Sequence, residues 1–279
     1  MIVPFRELLA ECRSRGAAAG AFTCYNLETA TGVVAAASAR AAGVVLLITE
    51  QSFRAQGGDL LLAALRAVAE RSPVPACVQL DHVGDLELIE AAFELGAGAV
   101  MADGSRLPLE ENVELVRRAV ETGRRLGGQV EAELGHVSGD EDVAGTVEVG
   151  ALTDPDEAAA FVERTGTACL AVSIGNVHGR YRTPPALDWA RLEAIRGRGV
   201  SAPLSLHGAS GLPQADLRRA VSLGIAKVNV NTALRDRYLS SLAEHLPSAR
   251  EGARVLQLGL AVADDLAATA GEMFDVLEP

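Results

Sequence analysis

Five histidines occur in the chain, and three of them, His82, His178 and His207, follow short apolar runs that read as β-strands. Three neutral imidazoles with an open fourth position make a catalytic zinc site. The spacing 82/178/207 is no metal signature by itself, and a lone histidine at a strand end is more often a hydrogen-bonded core or rim residue. Convergence of the three depends on a fold that gathers strand ends. His136 sits in a loop-like stretch and His245 near a helix end, where surface roles are the default.

Carboxylates accompany these histidines. Asp81 precedes His82 directly and reads either as a general acid/base beside a metal or as an orienter of a ligand. Glu131 and Glu133 fall on one face of a strand, because side chains alternate with period two. Carboxylates that face a barrel interior need a partner, and Lys227 is the only lysine in the chain. That pairing is preferred over a Schiff-base role for the same amine. Asp103-Gly104-Ser105 ends another apolar run. Asp140, Glu141 and Asp142 lie in a glycine- and acid-rich stretch, 135–152, without clear periodicity. Loops of that length in compact domains are functional or disordered; these acids are solvated unless the loop folds over a site.

Anion-binding features come third. His207-Gly208-Ala209-Ser210-Gly211-Leu212-Pro213 joins a strand to a helix whose first turn Pro213 opens, and Asn229 and Thr232 introduce the next helix. Small residues let backbone N–H groups approach a ligand, and a helix N-terminus favours negative charge. Two such termini after strands seven and eight are the usual phosphate site of a (β/α)₈ barrel.

The elements that must position these groups follow from periodicity. Strands are expected at 20–25, 43–49, 74–80, 98–102, 128–134, 168–174, 202–206 and 225–230. Helices are expected near 27–42, 57–71, 86–96, 109–126, 155–165, 188–196, 213–223 and 232–246. Eight strands, each followed by a helix, predict an α/β (β/α)₈ TIM barrel over 1–279 as a single domain. A helix at 5–14 plugs the bottom, and 250–276 forms one or two extra C-terminal helices. The formal net charge is −12, which advertises no surface for nucleic acid or anionic lipid. An anionic substrate must therefore be met locally. Cys12, Cys24, Cys77 and Cys169 are scattered in apolar stretches and read as buried, reduced side chains. Residues 1–20 show no signal-peptide pattern, and no apolar run reaches the roughly 18 residues of a membrane span, so a cytoplasmic protein is expected.

The chain resembles the class II fructose-1,6-bisphosphate/tagatose-1,6-bisphosphate aldolases over nearly its whole length. The blocks are GAFTCYNLET at 20–29, LDH at 80–82, MADGS at 101–105, VEAELG at 130–135, AVSIGNVHG at 171–179, LHGASG at 206–211 and AKVNVNT at 226–232, in family order and spacing. The resemblance implies Zn²⁺ on His82, His178 and His207, with Asp81 as the acid/base for the aldehyde-side oxygen. It implies Glu133 as the strand-five carboxylate near the metal and Asp103, with Glu133, at an alternative metal position. Glu141 matches a loop glutamate that removes the proton leading to an enediolate. Gly179, Gly208, Ser210, Asn229 and Thr232 match phosphate and dihydroxyacetone contacts, and Gly179 and Ser210 lie near a monovalent cation, Na⁺ or K⁺. Arg182 stands where a lysine contacts phosphate, and Arg235 matches an arginine on the far phosphate. A homodimer or homotetramer is implied as well. Cleaving a carbon–carbon bond beta to a ketone leaves an enediolate, whose charge a Lewis-acidic Zn²⁺ stabilises.

Departures from the family pattern fall on the substrate side. Thr23 replaces a usual asparagine, Ala209 a glycine, and Asn231 an aspartate that helps distinguish substrates; Thr49-Glu50-Gln51-Ser52 replaces a small-residue stretch. The expected reaction is retro-aldol cleavage of a phosphorylated ketose to dihydroxyacetone phosphate and an aldehyde. The alternatives are a ketose-phosphate epimerase or isomerase using the same enediolate, and a non-catalytic partner subunit.

Overall fold

A computed structural model describes residues 1–139, 146–181 and 186–278. Among the described residues, ten strands appear in chain order: β1 (Ala19–Thr23), β2 (Val44–Thr49), β3 (Ala76–Val83), β4 (Ala99–Ala102), β5 (Gln129–Leu134), β6 (Thr146–Val147), β7 (Cys169–Val172), β8 (Arg180–Tyr181), β9 (Leu204–Leu206) and β10 (Ile225–Val230). Eight of them close a parallel barrel in the order β1-β10-β9-β7-β5-β4-β3-β2, the (β/α)₈ TIM barrel expected from periodicity. The two-residue β6 and β8 pair with each other outside it. This pair was not anticipated, because two residues carry no periodicity to read.

The helices are α1 (Phe5–Ser14), α2 (Leu27–Ala39), α3 (Glu50–Arg54), α4 (Gly58–Arg71), α5 (Leu86–Glu94), α6 (Leu109–Leu126), α7 (Pro155–Thr165), α8 (Trp189–Gly197), α9 (Gln214–Ser222), α10 (Thr232–Glu251) and α11 (Val255–Leu277). Local chemistry starts several of them. The Asn26 side chain accepts from the Thr29 N–H, and Asp154 accepts from the N–H groups of Asp156 and Glu157 ahead of a first-turn proline. Pro213 stands one residue before α9, in extended backbone, rather than in its first turn. The short α3 was not expected. It forms because Thr49, ending β2, accepts from the Ser52 N–H and caps the turn. The C-terminal stretch is one helix, α11, which packs on α2; a Cβ at Gly32 would stand 2.5 Å from the Ala263 carbonyl oxygen.

The barrel interior has a polarity gradient. Its lower part is a cluster of small apolar side chains, including Ala19, Ala21, Val45, Cys77 and Cys169, closed from below by Phe5, Leu8, Leu9 and Cys12 of α1. Toward the strand C-termini the same inward rows turn polar. On β3 they run Cys77, Gln79, Asp81, and on β5 Gln129, Glu131, Glu133, while Leu47 pairs with Gln79 and Thr49 with Asp81. Period-two alternation alone delivers these groups to one rim. No described helix is long and apolar enough to cross a membrane.

Candidate metal centre and active site

His82, His178 and His207 meet at the C-terminal rim. Their ring centroids are 4.9 Å (82 to 178), 4.8 Å (82 to 207) and 5.7 Å (178 to 207) apart. With Glu133 they form a group whose four ligand atoms lie within 4.8 Å of one another, so these residues could hold a metal ion. His82 sits on a bulge of β3 with φ of +50°, where the register to β4 shifts between Leu80 and Val83. The bulge turns His82 over the barrel mouth beside Asp81, although neighbours on a regular strand would point to opposite faces. His207 follows β9, and His178 lies on the loop after β7. Asn176 ties those two together. Its amide nitrogen donates to the carbonyls of Val172 and His207, at 3.3 and 3.1 Å, and its oxygen accepts from the Ile174 N–H. The His178 N–H donates to the Ser138 carbonyl at 2.7 Å, and a Cβ at Gly139 would stand 2.6 Å from the His178 carbonyl oxygen. Only glycine allows that close approach.

Outer carboxylates orient two of the rings. His82 Nδ1 lies 2.8 Å from Asp103 Oδ2, and His207 Nε2 lies 3.0 Å from Glu131 Oε1. Ionised carboxylates only accept, so each of these nitrogens carries the proton. Burial opposes the charge on Asp103, but the His82 hydrogen bond and the Ser105 N–H outweigh it and hold that carboxyl well below the usual range. When both rings are neutral, the remaining nitrogens, His82 Nε2 and His207 Nδ1, face each other across 2.9 Å as acceptors. That contact is satisfied by a proton on either ring or by a shared cation, and the donor set suits a divalent transition metal. Glu133 offers a further donor: Oε1 accepts the Val137 N–H at 2.9 Å, while buried Oε2 makes no hydrogen bond among the described residues. Asp103 stands behind His82 and is outside the four-residue group.

Below the rim, Lys227 Nζ reaches Glu131 Oε2 at 2.8 Å and donates to Asn229 Oδ1 at 2.6 Å. This is the preferred pairing for the sole lysine. Gln79 and Ser205 also donate to Glu131. Burial works against both charges, yet the pair wins: Lys227 holds Glu131 well below the carboxylate range, and Glu131 and Asp81 push Lys227 up. Because the ammonium only donates, the Asn229 amide turns its nitrogen toward Asp81 Oδ2, at 3.1 Å. Asp81 is fully buried, and its Oδ1 has no hydrogen-bond partner among the described residues.

Two spaces open onto this centre. A cavity of about 510 Å³ is lined by Asp81, His82, Asp103 and His178 together with Thr49, Glu50, Gln51, Arg54, Arg106, His136, Val137 and Gly139. A cleft of only about 10 Å³ lies between His178, Gly179, Gly208, Ser210, Asn229, Asn231 and Thr232, which brings together every described residue assigned to phosphate except Arg235. Gly208 has φ of +70° and a Cβ there would stand 2.1 Å from the Val177 carbonyl oxygen. The Tyr181 hydroxyl pins that turn by donating to the Gly208 carbonyl and accepting the Val177 N–H; burial pushes its phenol up to about 12. Arg235 instead lines a separate apolar pocket with Thr23, Tyr25 and Tyr238. Glu141 and Arg182 fall outside the described residues, as do Asp140 and Asp142.

Sequence reasoning missed several members. His136 is no surface residue: it is half-buried, with Nδ1 3.0 Å from Ser105 Oγ and 3.7 Å from Glu133 Oε1. Asn176, Arg54 and Arg106 carried no signal beyond lying near strand ends. His245 is also half-buried but stands away from the site, where it and Arg237 share the Asp265 carboxylate.

A three-histidine centre ringed by carboxylates at the C-terminal mouth of a (β/α)₈ barrel defines a class of metal-site barrel enzymes. Within that class, residues 3–278 match the family described as "Fructose-bisphosphate aldolase class-II", and the chain belongs to it. It is thus an aldolase, a carbon–carbon lyase. The D-tagatose-1,6-bisphosphate aldolase subunit GatY of Klebsiella oxytoca is 41% identical over 254 residues, 90% of this chain and 89% of that protein. Among solved structures, the YdjI aldolase of Escherichia coli K12 superposes with TM-score 0.87 at 32% identity, covering 99% and 97% of the two chains. A putative fructose-1,6-bisphosphate aldolase of Coccidioides immitis gives TM-score 0.87 at 30% identity, covering 97% and 94%.

Proposed function

We propose that this aldolase cleaves a phosphorylated ketose reversibly to dihydroxyacetone phosphate and an aldehyde, with Zn²⁺ held by His82, His178 and His207. The observation that carries this reading is the convergence of His82, His178, His207 and Glu133, whose ligand atoms lie within 4.8 Å of one another, with His82 and His207 oriented by Asp103 and Glu131. When bound, the metal supplies Lewis-acid stabilisation of the negative charge left on the ketone side as the carbon–carbon bond breaks. Asp81 moves the proton on the aldehyde-side oxygen. Asn229 holds one carboxylate oxygen and leaves Oδ1 directed to that task. Glu133 serves near the metal and, with Asp103, at its alternative position. Glu141 takes the proton on the dihydroxyacetone side. Gly179, Gly208, Ser210, Asn229 and Thr232 cradle the phosphate with Arg182, and a monovalent cation belongs beside Gly179 and Ser210. The GatY similarity supports a ketose bisphosphate of the tagatose type, while Asn231, which accepts from the Tyr25 hydroxyl at 3.1 Å, tunes which sugar is taken. A homodimer or homotetramer is the expected assembly.

The test is metal analysis followed by cleavage assays over a panel of phosphorylated ketoses, with and without chelator. About one Zn²⁺ per chain, triose phosphate release, and loss of activity on chelation that added Zn²⁺ restores are expected. Full activity after verified metal removal refutes the mechanism. Turnover of the ketose without triose phosphate release moves the reaction to epimerisation or isomerisation.

A further inference from the structure

If the proposed cleavage holds, the larger cavity receives the aldehyde half of the substrate. Asp81, which serves the aldehyde-side oxygen, lines that cavity, while Gly179, Gly208 and Ser210 line the phosphate cleft. His178 borders both spaces, so a ketose with its phosphate in the cleft passes the three histidines and enters the cavity. His136 lines the cavity too, but it is outside the metal-ligand group and has no part in the proton step.

The His136 ring is held in place from several directions. Its backbone N–H donates to the Ala151 carbonyl at 2.7 Å, and its carbonyl accepts from the Ser173 hydroxyl at 3.2 Å. Gly150 closes over the same carbonyl, where a Cβ would stand 2.2 Å from the oxygen. Nδ1 lies 3.0 Å from Ser105 Oγ, and the Ser105 N–H donates to Asp103 Oδ1 at 3.0 Å. These contacts fix the ring with Nδ1 3.7 Å from Glu133 Oε1, beside the metal-ligand group. A side chain anchored in this way offers a preorganised contact. The opposite nitrogen, Nε2, has no hydrogen-bond partner among the described residues. In a neutral imidazole Nε2 donates or accepts according to the tautomer, and a hydroxyl answers either.

We propose that His136 is a specificity-determining residue for the aldehyde half, its Nε2 hydrogen-bonding the hydroxyl on the carbon next to the aldehyde carbonyl. The aldehyde oxygen belongs to Asp81, and that hydroxyl is the next polar group along the chain in the same cavity. The favoured acceptors are then 2-hydroxyaldehydes, read by a neutral contact.

The experiment runs the reaction as a condensation of dihydroxyacetone phosphate with D-lactaldehyde or propanal, which differ only in that hydroxyl. Zn²⁺-loaded wild type, His136→Asn and His136→Gln are compared. Asparagine keeps a polar atom near the Nδ1 position and so the Ser105 contact, whereas glutamine reaches the Nε2 position. The ratio of kcat/KM for D-lactaldehyde over propanal should fall about threefold to tenfold in His136→Asn, as for one neutral hydrogen bond, and recover in His136→Gln. A purely structural role through Ser105 gives the reverse order. An unchanged ratio in His136→Asn, equal losses on both aldehydes, or a ratio that glutamine fails to restore overturns the proposal. If the wild type condenses neither aldehyde, the cleavage reading fails and equilibrium binding judges His136 alone. D-tagatose 1-phosphate should then bind the wild type more tightly than its 5-deoxy counterpart, and His136→Asn should erase that margin. Equal binding of the two, or no binding of either, refutes the assignment.

Discussion

Replacing Lys227 by methionine isolates what the buried ion pair does. Both Lys227 and Glu131 have side-chain exposures of 0%, so the substitution leaves a carboxylate with no access to water. Four donors reach Glu131: Lys227 at 2.8 Å, Gln79 at 2.7 Å, Ser205 at 2.5 Å and His207 at 3.0 Å. Removing the only full charge among them leaves three neutral hydrogen bonds that do not cancel the desolvation of the anion. Breaking a buried pair in this way costs about 3–5 kcal/mol, a large part of a typical 5–15 kcal/mol of stability. The double variant Lys227→Met/Glu131→Gln removes the charge as well and should regain most of that loss. Urea unfolding of the chelator-treated proteins at pH 7 reads both numbers without metal linkage. The pH dependence carries a second signature. In the wild type the Glu131 carboxyl is depressed on folding, so its contribution is present above the unfolded carboxylate value and lost only as pH falls through the depressed one. Lys227 is raised, so its contribution is present below its ordinary 10.5 and lost as pH rises through the raised value. Neither group makes the wild type more stable between pH 7 and pH 5. The single variant should gain stability over that range, because its unpaired Glu131 takes up a proton. A single variant within about 1 kcal/mol of wild type, or a double variant no better than the single, refutes the reasoning.

Three further outcomes follow from other parts of the molecule. Borohydride added with a ketose phosphate substrate should leave the protein mass unchanged, since the only lysine amine is buried and bonded to Glu131 and Asn229; a trapped adduct would place imine chemistry at Lys227. Gly208→Ala should weaken phosphate-bearing substrates and lower the melting temperature, because its Cβ collides with the Val177 carbonyl in a left-handed turn; wild-type KM and melting would contradict this. The thiols of Cys12, Cys24, Cys77 and Cys169 are all buried, and burial pushes Cys77 up to about 12, so alkylation in native buffer should label none of them until denaturant is added. Mass spectrometry counts the labels.

All eight barrel strands and the bottom helix were legible from apolar runs alone, because the barrel strands are buried on both faces and α1 shows an apolar stripe. What escaped was set by single contacts. Helix α3 depends on one capping hydroxyl, Thr49, in a stretch without periodicity. At the site, Asp81, the three histidines, Glu131, Glu133 and Lys227 stood out because reactive side chains at strand ends are rare in an otherwise apolar pattern. The tautomer logic did not, since Asp103 reaches His82 across 21 positions and Glu131 reaches His207 across 76. Asn176 looked like a loop residue, yet it stitches two barrel segments through groups 31 positions apart. His136 was misjudged for a similar reason: its surroundings come from Ser105, on another loop.

The change in character along the barrel interior separates two kinds of freedom. Side chains near the α1 end are locked by close packing, whereas Glu50, Gln51 and Arg106 border open space at the opposite mouth and support no neighbouring strand. Substitutions at that mouth can retarget the enzyme to a new sugar while the bottom continues to fold the chain and the histidines continue to face one another. Such an arrangement lets substrate range diverge among relatives faster than architecture does, and it marks the Thr49–Ser52 turn and Arg106 as the first places to engineer.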